Sequence, residues 1–88
     1  MSALHHQICT LASRRAAEER WCARVRAAKL RFDLAVADAA RALRQTDSAT
    51  VEITQSVEEQ ARREYLRALQ VFTDLIVRGK MPEDETFE

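Results

Sequence analysis

Two sets of residues have side chains and spacing suited to chemistry. His5, His6 and Cys9 sit close together. His5 and Cys9 stand four apart, so on a helix they share a face and could chelate a soft divalent metal. No second cluster supplies the remaining ligands, and the expected reading is incidental polar residues at a helix end, with no metal or cofactor held. Arg20, Arg24 and Arg31 fall close together in helical rotation. They would form a basic strip able to follow a phosphate backbone. The chain's formal net charge is zero, however, so solvation or pairing with acidic neighbours is expected for that strip. A dimeric helical nucleic-acid-binding protein is the alternative reading. As for catalysis, no Glu precedes a His, which excludes the Glu-x-x-His pairs of di-iron bundles. A helical hairpin offers a Ser-His-Asp or Cys-His set neither a cleft nor an oxyanion-binding turn. No catalytic residue is assigned, and the chain is not expected to be an enzyme.

The elements that would carry these residues are helices. The 88 residues contain one Gly and one Pro, and are rich in Ala, Leu, Glu and Arg, the strong helix formers. From Ala3 to about Gln45 nothing interrupts a helix, and Ser2 can cap it. At 1.5 Å per residue that helix would be on the order of 65 Å long. Between Leu4 and Leu43 a position recurs at alternating spacings of four and three. It is apolar at nine of twelve places, through Ile8, Leu11, Cys22, Val25, Phe32, Val36 and Ala39, which is a coiled-coil-like seam. Arg15 and Glu18 interrupt it, so the first turns, to about Ala12, are expected to be decoupled from the main packing, and a continuous helix and a bend near Ser13 are both left open. Beside the seam, Ala28, Ala35 and Ala42 follow Trp21 at sevenfold spacing, and small residues let a neighbouring helix approach closely. A second stripe, including Leu30 and Leu34, lies roughly opposite.

The segment 46–56, TDSATVEITQS, is the poorest helix former in the chain. Either Asp47 or Ser48 caps a second helix at once, or Ser56 caps it with Glu59 completing a capping box. The early start gives the shorter, commoner connection and is the expectation. That helix, about 49–78, carries the densest apolar run, Tyr65 to Val77, and ends at Gly79 and Pro82. Its outer face spaces Glu58 from Arg62, Glu59 from Arg63 and Asp74 from Arg78 for helical ion pairs. A single hairpin domain over 1–81 and an acidic disordered tail over 82–88 are expected.

Two antiparallel helices can bury one stripe each, and these carry more. The expectation is an all-α, coiled-coil-like helical hairpin that dimerises into a four-helix bundle, a homodimer. Self-association is assigned to Trp21, Leu30, Phe32, Leu34, Leu66, Leu69, Phe72 and Ile76. The halves differ in charge: 1–46 hold nine Lys/Arg against four Asp/Glu, and 47–88 hold five against ten, which favours pairing of unlike helices. Cys9 and Cys22 lie about 20 Å apart along one helix and cannot pair within it. With no disulfide framework, leader or membrane-spanning run, a soluble cytoplasmic protein is expected, an adaptor, small chaperone or scaffold component working through protein contacts.

Overall fold

A computed structural model describes residues 2–45 and 47–82, with side chains from Leu11 onward. Two helices, α1 (Ser2–Arg44) and α2 (Ser48–Arg78), pack against each other as an all-α hairpin. Cross-chain pairs show the antiparallel alignment: Arg14 reaches Leu75, while Arg31 meets Glu64 and Phe32 stacks on Tyr65. Of the two courses left open at Ser13 the continuous one is found, because α1 is one helix throughout. Arg14 and Glu18 pair along the helix at 3.2 Å, while the side chains of the first turns, before Leu11, lie outside those described.

The second helix starts early. Asp47 is extended, at φ −82° and ψ 105°. Its carboxylate accepts from the Ala49 N–H at 3.1 Å and the Thr50 hydroxyl at 2.6 Å. This occupies a donor that the first turn of a helix leaves unpaired. Ser56 and Glu59 therefore lie inside α2. The unpromising Thr-rich stretch is accommodated because the Thr54 hydroxyl donates to the carbonyls of Thr50 and Val51, at 2.9 and 3.1 Å. At the far end Gly79 adopts the left-handed conformation, φ 68° and ψ 18°, and its N–H donates to Leu75 O at 3.0 Å. Glycine is suited to this position because it has no Cβ. Pro82 is buried; residues 83–88 of the expected tail lie outside the described residues.

The row of α1 that meets α2 differs from the expected seam. Ala17, Trp21, Ala28, Ala35, Ala39 and Ala42 are buried, against Ala61, Ala68 and Leu75 of α2. Val36 and Leu43, which belong to the 4–3 seam, are exposed. The small side chains decide this. Alanine rows on both helices allow close approach, and the one indole fills the wider space near the open end beside Leu75. Val25, Tyr65, Val71 and Phe72 pack around the margin of that cluster.

Candidate interaction surface

The hairpin has two flanks, one on each side of the Ala-lined contact. Taking about 100° per residue, the 4–3 seam of α1 centres about 80° away from the Ala row. On that flank Cys22 lines a shallow groove with Glu18, Arg26, Phe72 and Ile76. Val36 and Leu43 share its rotation on α1, and Leu69 on α2. Phe32 and Tyr65 lie between the helices on the same side, their rings stacked at 6.1 Å and 18°. The Arg62 guanidinium lies 5.9 Å from the centre of the Phe32 ring, a geometry in which the cation is attracted to the ring face.

The opposite flank is more polar. Its groove is lined by Leu34, Ala35, Val57 and Ala61, together with Arg31, Asp38, Gln60 and Glu64. Leu30 and Leu66 project from the outer sides of α1 and α2, away from the mutual contact, and both are exposed.

The residues assigned to self-association therefore divide. Trp21 is buried inside the hairpin, and Phe32 and Phe72 are half-buried at its margin. Leu69 and Ile76 are exposed on the seam flank, Leu34 lies on the polar flank, and Leu30 and Leu66 are exposed on the outer sides. Val36 and Leu43 were in the seam by spacing but were not singled out. Their signal was there, and what was missing was which row α2 would cover.

The electrostatics are those of exposed groups. Lys29 interrupts the seam but is tied to Asp33 at 3.1 Å. That hydrogen bond, with the adjacent charge, holds the Lys29 amine above its usual pKa. The Asp47 carboxyl is held below its usual pKa, first by the Thr50 hydroxyl and then by the Ala49 N–H. Glu58 and Arg62 form one of the expected helical pairs at 3.4 Å, whereas Asp74 accepts from Gln70 at 3.1 Å.

The basic strip is drawn into the hairpin's own contacts. Arg24 lies 4.5 Å over the Trp21 ring, and Arg31 stands 4.0 Å from Glu64. Arg20 also has a partner. The side chains of His5, His6 and Cys9 lie outside those described. Among the described residues no three His, Cys, Asp or Glu side chains gather as a metal site. None of the described helices is long and apolar enough to cross a membrane. Comparison with protein families, curated proteins and solved structures finds no match to this chain.

Proposed function

We propose that the chain is a non-enzymatic protein-interaction module, an adaptor, small chaperone or scaffold component, that self-associates through the apolar faces its hairpin leaves open. One observation carries this reading. Leu75 is the one large side chain fully buried among the described residues, while twelve large hydrophobic residues are 36–72% exposed. Most of the interior is alanine, which contributes little transfer free energy. Each large side chain fully buried contributes about 1.5–3 kcal/mol, so the major gain available to this sequence lies outside the isolated hairpin. Where such side chains share a flank, as Val36, Leu43, Leu69 and Ile76 do, they support an interaction site.

The proposed setting is the reducing cytoplasm, where Cys22, a free thiol in the structure, keeps that form. Light scattering during gel filtration tests the self-association. A mass of about two chains is expected, and elution at the 10.1 kDa of one chain at every loading would overturn it.

A further inference from the structure

We propose that a second copy docks on the seam flank, with the two-fold axis running along the hairpin, so that α1 of one protomer lies over α2 of its partner. The proposal rests on the self-association reading and adds the face and the orientation.

The face follows from α1 carrying two apolar rows. Its Ala row is consumed by α2 of the same chain. The 4–3 seam lies about 80° further round, and its exposed members Val36 and Leu43 have no counterpart within the hairpin. A sustained 4–3 repeat matches a helix partner, and a rotation near 90° from the first contact is where a four-helix bundle places the second. On α2 the same flank offers Leu69, Phe72 and Ile76. Both flanks carry charge, Glu18, Glu19 and Arg26 around the groove of this one and Arg31, Asp38 and Glu64 around the other, so the choice rests on the 4–3 row, whose Val36 and Leu43 stand exposed here.

The available area suits a second copy. Over the length of α2, about 46 Å, a two-helix face about 20 Å wide presents roughly 900 Å². Two such faces together reach the roughly 1,600 Å² of a stable interface.

Charge selects the orientation. From Leu11 to Arg44, α1 carries nine Lys/Arg and four Asp/Glu, a net of +5; α2 carries four and five, a net of −1. A two-fold axis perpendicular to the helices would lay α1 on the partner's α1, setting +5 against +5. An axis along the hairpin sets α1 against the partner's α2 instead and avoids that repulsion. It also keeps residues that are level within one hairpin level across the dimer.

Two experiments test this. A spin label at Gln45→Cys, in a Cys9→Ser/Cys22→Ala background, reports the distance between the two connecting turns. The proposal expects less than about 25 Å, whereas the perpendicular axis separates the labels by over about 40 Å and would overturn the orientation. In the second experiment, Val36→Glu/Leu69→Glu is expected to raise the dimer dissociation constant at least a hundredfold, with Leu34→Glu changing it less than threefold. The reverse pattern would overturn the choice of face while leaving self-association standing. A parent chain that is monomeric before any substitution would overturn the self-association reading itself. Circular dichroism of each variant separates lost assembly from lost folding, and the label distance is measured with Val36 and Leu69 in place, after the Cys9→Ser/Cys22→Ala background is shown to keep the parent's mass.

Discussion

Arg14 reaches across the hairpin and donates from Nη2 to the carbonyl oxygen of Leu75 at 3.3 Å and to that of Ile76 at 3.2 Å. The two carbonyls belong to the last turn of α2, where helical partners run out and the dipole is negative. A cation from the other helix thus completes the end of α2 and fixes the register of the pair. Arg14→Leu should destabilise the fold by about 1 kcal/mol, since the bonds are charge-assisted but half exposed to water. Urea unfolding at fixed protein concentration measures this. An unchanged midpoint would mean the contact adds nothing to register.

Gly79 stands beside that contact. A Cβ there would sit 3.2 Å from Arg14 Nη1, and the backbone is at φ 68°. Gly79→Ala should cost roughly 1–2 kcal/mol, mainly from the left-handed backbone, because the guanidinium end can shift. Gly79→Asn should cost less. Thermal unfolding of the two variants side by side checks the order, and equal losses would contradict the backbone explanation.

The Ala row makes a sharper prediction. Ala28 and Ala35 are buried, so Ala28→Leu or Ala35→Leu should force the helices apart and cost about 1–3 kcal/mol. Leu34→Ala, at an exposed position, should stay within about 0.5 kcal/mol. Were α1 packed on α2 through the 4–3 seam instead, Ala35→Leu would be tolerated.

The Asp47 cap has a pH signature. Its folded pKa is depressed below the ordinary 3.8 by the Thr50 hydroxyl and the Ala49 N–H. A depressed carboxyl contributes stability that is fully present above the unfolded value and is lost as pH falls through the folded one. Between pH 5 and about 2 the parent should therefore lose more helix stability than Asp47→Asn does. Far-UV circular dichroism melts across that range show it. Parallel curves would mean the cap bonds do not favour the charged form.

Much of the hairpin was legible because its signals are local. Asp47 caps α2 through donors two and three residues ahead, and Gly79 ends it through carbonyls four and five residues back. The rotation of α1 was half legible: the row of Trp21, Ala28, Ala35 and Ala42 stood out as one a helix could approach closely, but not as the row that would win over the seam. Patterning weights Val36 and Leu43 above Ala35 and Ala42, whereas packing selected the alanines, because close approach along two matched rows depends on what both helices lack. Arg15 and Glu18 in the seam left open whether α1 bends near Ser13; it continues there as one helix, and the seam meets α2 at its margin through Val25, Phe32 and the buried Ala39. Nor could spacing reveal that Arg14 would find a partner 61 residues away in sequence.

Sedimentation equilibrium from micromolar to hundreds of micromolar protein decides whether a second copy covers the open apolar surface. Twice the 10.1 kDa chain mass is expected across that range, falling toward one chain for Val36→Glu/Leu69→Glu. A parent protein that remains at 10.1 kDa throughout, with its helices intact, would contradict it.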